Sequence, residues 1–134
     1  MDNSEHRLQE VFFYGLYMDP EILTNKGVAP RNPRIATVKG YKLRIGKLAT
    51  LLRDEKSEAS GIIYSLTHDE IDKLYKDSGL LAYVPESLSA TTKDNVTLSV
   101  LCCNLRIPPA ADENNPEYLE KLTACMKKYN IPIF

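Results

Sequence analysis

The stretch VFFYGLYMDPEIL, residues 11–23, decides how this chain is read. Residues 11–14 are β-branched or aromatic, the composition of a buried strand. Gly15 stops that strand, and Asp19 followed by Pro20 reads as an N-cap and first helical position. The expected local structure is therefore a strand, a sharp turn over residues 15–18 and a short helix over 20–23. Turns at the top of a strand often present backbone N–H groups, which suits them to anions. Others are plain connections, so the neighbouring segments must decide what this turn does.

Downstream, GVAPRNPR (27–34) holds two prolines and a glycine and reads as an extended loop. IATVKGYKLRIGKLATLL (35–52) alternates apolar and polar residues, predicting strands near 35–45 and 47–52 with breaks at Gly40 and Gly46. The charged tract RDEKSEAS (53–60) reads as a surface turn, and GIIYSL (61–66) as a buried strand. Thr67 with Glu70 forms a capping box, Ile71 and Leu74 give the following helix its apolar stripe, and Gly79 stands at the expected C-cap. AYVPESLSATT (82–92) and NVTLSVLCCNLRI (95–107) read as two strands joined by a turn at Lys93, Asp94 and Asn95. Val96, Leu98, Val100 and Cys102 would share one buried face. Residues 117–129 form an amphipathic helix with Tyr118, Leu119, Leu122, Cys125, Met126 and Tyr129 on one side. About six strands and two or three helices, without regular alternation, argue for an α+β fold with a curled sheet or small barrel.

The chain of 134 residues fits a single domain, 1–134, with the polar residues 1–10 loosely ordered. Its 43% hydrophobic and 26% charged residues are ordinary for a globular protein, and a net charge of −1 offers nothing global to nucleic acid or acidic membranes. There is no run of about 18 apolar residues, and MDNSEHRLQE is too polar for a signal peptide, so a cytoplasmic setting is expected. Cys102 and Cys103 are adjacent, a pair that bridges only with strain, and no C-x-x-C spacing occurs. His6 and His68 lie far from the cysteines in sequence. Buried free thiols are expected, with no metal and no cofactor.

Six features occurring in order over residues 11–132 resemble the γ-glutamylcyclotransferase-like family. They are Y-G-x-x-M at 14–18, GYKLRIGKLATLL at 40–52, G-x-x-Y-x-L at 61–66, L-x-x-x-x-G at 74–79, Tyr83 entering the next strand, and NPEYLEKLTACMKKYNIP at 115–132. The resemblance implies a small mixed barrel with helices packed outside and a pocket at the Y-G-x-x loop. Tyr14, Gly15, Leu16, Tyr17, Met18 and Tyr83 are then the candidate binding residues. Members of the family release an amine or amino acid from a γ-glutamyl compound as its own α-amine closes the 5-oxoproline ring. Holding amine and carbonyl together is worth an effective molarity of about 10⁵ M or more. One carboxylate could take the ammonium proton and return one to the departing amine.

The family places that glutamate in L-D-x-x-E-G, and here the segment reads L-Y-K-D-S-G (74–79), so Ser78 holds the glutamate position. A serine is no general base unaided, and a Ser–His pairing would have to call on His68, ten residues upstream. Asp77 precedes Ser78 by one residue, a rotation of about 100° if the segment is helical. Glu86, flanked by Val84 and Leu88, is the candidate substitute carboxylate; it reads either as a surface residue or, if Pro85 marks a bulge, as a group at the pocket rim. Arg44 and Lys47 either meet a ligand carboxylate or face water, and Asn104 either orients a ligand or caps a turn. Leu16 and Tyr17 make the loop bulkier than the family's usual one. The expectation is a γ-glutamylcyclotransferase-like protein whose pocket takes a small ligand with a carboxylate or amide, a γ-glutamyl amine or related amide. The missing glutamate argues against 5-oxoproline release. The alternative is a non-catalytic binding or protein-interaction module, monomeric or homodimeric.

Overall fold

Alternation along the opening strand divides the protein into two cores. Phe12 and Tyr14 pack with Ala36, Val38, Leu51, Ile63, Ala90 and Val100, strand residues that fill the inside of a barrel. Val11 and Phe13 pack instead with Tyr64, Leu66, Leu74, Leu122 and Met126, which joins the outer barrel wall to the helices. The structure is a computed structural model describing residues 7–76 and 82–132.

Its elements are β1 (Leu8–Phe13), a 3₁₀ turn (Leu16–Met18), α1 (Pro20–Asn25), β2 (Arg31–Ile45), β3 (Ala49–Thr67), α2 (His68–Tyr75), β4 (Tyr83–Thr92), β5 (Thr97–Leu105) and α3 (Pro116–Lys128). The strands close in the order β1-β3-β2-β4-β5. Four of the five junctions are antiparallel, and the fifth closes the ring between β1 and β5, which run parallel with Val11 opposite Leu101. The expected α+β class and mixed barrel hold, with five strands among the described residues where about six were expected.

The difference lies in the charged tract. Residues 53–60 are not a surface turn but part of β3, which runs unbroken for 19 residues. Arg53 pairs with Tyr41 and Glu58 with Lys39, so residues 54–57 bulge opposite Gly40, whose φ of +84° suits a glycine. Asp54 closes the bulge by accepting from the Lys56 N–H (3.1 Å) and the Ser57 hydroxyl (2.9 Å). Charge there marks a strand with water beside it, not an end.

The other boundaries shift for similar reasons. β1 begins at Leu8 rather than Val11, because Leu8, Gln9 and Glu10 pair with Thr67, Leu66 and Ser65 and Glu10 bonds Arg34. β2 starts at Arg31, inside the expected loop, with a register shift before Arg34. Val96 lies outside β5 and is exposed, and Leu119 is half in water, so neither belongs to the buried face expected of it. The turn at Asn95 does form, with Thr92 N–H donating to the Val96 carbonyl (2.9 Å) and Asn95 at φ +67°. At Gly61 a Cβ would stand 2.1 Å from the Phe13 carbonyl oxygen, so only glycine lets β1 pass this close to β3. The Gly79 cap lies outside the described residues.

The capping box is present and buried. Thr67 Oγ1 accepts from the Glu70 N–H (3.3 Å), while Glu70 Oε1 accepts from the Thr67 N–H (2.9 Å) and from Arg31 (2.7 Å). Its second oxygen accepts from the Ala29 N–H (2.7 Å). Burial opposes the charge, but Arg31 and the Thr67 and Ala29 N–H groups together hold the carboxyl down at about 2. One carboxylate thus ties the start of α2 to the segment entering β2. It thereby places Leu74 and Tyr75, the last residues of α2.

Candidate binding pocket

Beyond β1 the chain turns at Gly15, where the Met18 N–H donates to the Gly15 carbonyl and the Asp19 N–H to that of Leu16, both at 3.0 Å. Asp19 then caps α1 through the Glu21 N–H (2.9 Å), and Pro20 opens the helix, as its sequence position requires. Tyrosines from other elements fix this turn. The Tyr64 hydroxyl of β3 donates to the Met18 carbonyl (2.7 Å), and Tyr129 donates to Asp19 Oδ1 (3.1 Å). From α3, the Tyr118 hydroxyl accepts the Leu16 N–H at 3.1 Å. Tyr17 reaches the other way and donates to the Leu74 carbonyl at the end of α2 (2.8 Å). At Gly15 the Tyr118 hydroxyl packs where a Cβ would stand, 2.5 Å from it, so a larger residue there would displace that hydroxyl.

A cavity of about 300 Å³ opens beside this turn, between it, the β2–β3 turn, and Tyr75, Tyr83 and Tyr118. Tyr14, Gly15, Leu16, Tyr17 and Tyr83 all line it, so these expected binding residues come together. Met18 does not; it is fully buried in the outer core beneath the turn. Sequence reasoning did not single out Tyr75, Tyr118, Phe12, Phe13, Leu48 and Ala49 as lining. An aromatic in the first turn of an amphipathic helix was the one available signal for Tyr118, and it is not specific.

The wall is an aromatic chain. Phe13 and Tyr17 meet edge-on at 6.0 Å and Tyr17 and Tyr75 edge-on at 5.8 Å, while Tyr75 and Tyr83 lie tilted at 5.6 Å. Tyr14 donates to the Cys103 carbonyl (2.7 Å) and Tyr83 to that of Ala49. Burial first, then neighbouring phenols and thiols, pushes the Tyr14, Tyr75 and Tyr83 hydroxyls well above their ordinary values, so they stay protonated at neutral pH.

Lys47 is exposed at the cavity edge. Its turn is held by the strap 106–115. Glu113 accepts from the Lys47 N–H (3.0 Å) and the Ala110 N–H (2.8 Å), and those bonds, with the nearby Lys47 and Arg44 charges, lower its carboxyl. Arg44 does not line the cavity. Its guanidinium donates to the carbonyls of Ile45, Ala110 (2.8 Å) and Glu113 (2.9 Å).

Asn104 is not a turn cap. It lies buried within β5, its Oδ1 accepting from the Leu51 N–H (3.3 Å), because β3 and β5 approach there. Glu86 sits in β4 opposite Cys102, on the face of Leu88, and is not among the cavity's lining residues. Ser78 and Asp77 lie outside the described residues, between the two lining tyrosines at 75 and 83 in sequence. His68 is within 3.2 Å of the Arg7 guanidinium. The three cysteines are buried and unbridged, with burial raising Cys103 and Cys125 to about 11.

No family model matches this sequence, and no curated protein matches it. Solved structures do. A γ-glutamyl cyclotransferase superposes with a TM-score of 0.73 at 16% identity, over 90% of this chain and 79% of its own. An uncharacterised protein from Homo sapiens gives 0.74 at 18% identity, over 95% of this chain and 83% of its own. An AIG2-like protein from Mus musculus gives 0.56 at 15% identity, over 85% and 84%. At these identities the likeness is one of architecture, and the chain carries the γ-glutamylcyclotransferase-like fold in a divergent form.

Proposed function

We propose that the cavity at the Y-G-x-x-M turn is a binding site for a small molecule bearing a carboxylate or amide, the γ-glutamyl amines and related amides being the first candidates. The observation that carries this reading is the enclosure of about 300 Å³ by the turn, the aromatic wall and a single lining cation, Lys47, among the described residues. Pockets of this size with apolar walls and few polar groups are the usual form of small-molecule sites. Binding without 5-oxoproline release is the favoured mode. On the resemblance, Ser78 stands where the family carries its glutamate, and the lining residues described include no carboxylate to move the protons.

The experiment is a thermal-shift screen of γ-glutamyl compounds on the full chain, paired with an assay for released 5-oxoproline. Stabilisation that grows with ligand concentration, without release, is the expected result. Release by the parent protein would refute the binding-only mode, and release that persists in Glu86→Gln would also remove Glu86 as the substitute carboxylate. Release gained in Ser78→Glu would support a binding loop that has lost only its proton carrier. No stabilisation by any compound would remove the binding reading and leave the interaction module.

A further inference from the structure

The five lining tyrosines do not dispose of their hydroxyl protons alike. Tyr14, Tyr17 and Tyr83 donate to the carbonyls of Cys103, Leu74 and Ala49, and Tyr75 lies against the Cys103 thiol. Tyr118 instead accepts, taking the Leu16 N–H at 3.1 Å, and its own proton has no acceptor among the described residues. Burial raises this phenol, so it remains a donor at neutral pH. A hydroxyl that accepts from an N–H is polarised into a stronger donor. Lys47 lines the same cavity. Asn115 joins the two residues, its Oδ1 accepting from the Tyr118 N–H (3.1 Å) and its Nδ2 donating to the Lys47 carbonyl (3.5 Å).

We infer that the pocket selects a small carboxylic acid with an apolar or aromatic body and no free ammonium, its carboxylate received by Tyr118 and Lys47. The inference rests on the reading of the cavity as a ligand site, and within that reading it ranks acids without an α-ammonium above the γ-glutamyl amines, which carry one. A carboxylate placed there gains a charge-assisted hydrogen bond and an opposite charge. An ammonium meets a donor proton and a second cation, and finds no carboxylate among the described lining residues to replace its water. The rest of the ligand covers Phe13, Leu16 and Leu48 and the rings of Tyr17 and Tyr83. Compounds with a free α-amine are then the weaker ligands, and their acylated counterparts the stronger.

The test uses three probes with one body: N-acetylphenylalanine, phenylalanine and phenylalaninamide, titrated calorimetrically into the full chain at pH 7 and low salt. N-acetylphenylalanine should bind about tenfold or more tighter than either amine. Tyr118→Phe should weaken it by about tenfold, the scale of one hydrogen bond to a charged group. Lys47→Gln, on an exposed side chain, should weaken it and flatten its salt dependence. Tyr118→Phe also strips the Leu16 N–H of its acceptor, so its melting curve is taken alongside; Lys47→Gln stands as the independent arm. Equal or tighter binding of an amine, or parental affinity in both variants, overturns the inference. If no probe binds while a γ-glutamyl amide does, the acid selectivity is wrong and the pocket stands. If nothing binds, both fall.

Discussion

Replacing Glu70 by Gln tests how the fold holds the pocket wall. The substitution keeps the shape and leaves Arg31 without its counter-ion, while the N–H groups of Ala29 and Thr67 face a weaker acceptor. The carboxyl lies at about 2 against an ordinary 4.5. At about 1.4 kcal/mol per unit, that span sets a ceiling of roughly 3 kcal/mol. Glu70 is 8% exposed, but Arg31 keeps 40% of its side chain in water, so screening trims the value to roughly 2 kcal/mol. The sign follows from the direction of the shift. A depressed carboxyl contributes fully above its unfolded value of about 4.5 and loses that contribution as pH falls through about 2. Urea unfolding of parent and variant at pH 7, 4.5 and 2.5 should therefore give a gap of roughly 2 kcal/mol at pH 7 that narrows markedly by pH 2.5. A gap that stays constant over this range, or a variant as stable as the parent at pH 7, would refute the account of Glu70 as the clamp on α2.

Three further outcomes follow from the packing. Gly61→Ala should destabilise by roughly 3 kcal/mol or more in denaturant unfolding, because the added Cβ meets the Phe13 carbonyl and the Phe12 ring, neither able to yield cheaply; a loss under 1 kcal/mol would mean β1 shifts easily. Tyr64→Phe should cost roughly 1 kcal/mol by leaving the Met18 carbonyl without its donor, and should speed amide exchange in the 3₁₀ turn; unchanged exchange would mean the turn is held without it. The native thiols should resist a disulfide reagent at pH 7, since all three are buried and burial raises each above its ordinary value; prompt modification of any one would contradict that burial.

Most of the architecture was legible where local signals agree. Thr67 with Glu70 announces a helix start in any sequence, and the structure builds it. Residues 11–14 announce a buried strand because both faces of β1 are covered, one by the barrel interior and one by the helices. The signals failed where charge and strand coincide. Glu10 is inside β1 because Arg34 answers it from β2, and Glu58 is inside β3 because Lys39 lies opposite, pairings no local window contains.

The site divides the same way. The Y-G-x-x-M turn is a contiguous string and could be read directly, whereas its two polar anchors come from far along the chain. Tyr118 arrives from 102 residues beyond Leu16, and Lys47 is held by an asparagine 68 residues beyond it. Lys47 and Arg44 looked equivalent in sequence. Three backbone carbonyls occupy Arg44, and only the tertiary path of the strap 106–115 decides that.

The central claim is that the cavity beside the Y-G-x-x-M turn is where a small ligand binds. Backbone amide shifts recorded during titration of N-acetylphenylalanine and of a γ-glutamyl amide test it most directly. The account predicts saturable changes centred on Gly15, Leu16, Lys47, Ala49, Tyr83 and Tyr118. Changes centred on the distant β4–β5 turn at Asn95, or none at saturating ligand, would contradict it.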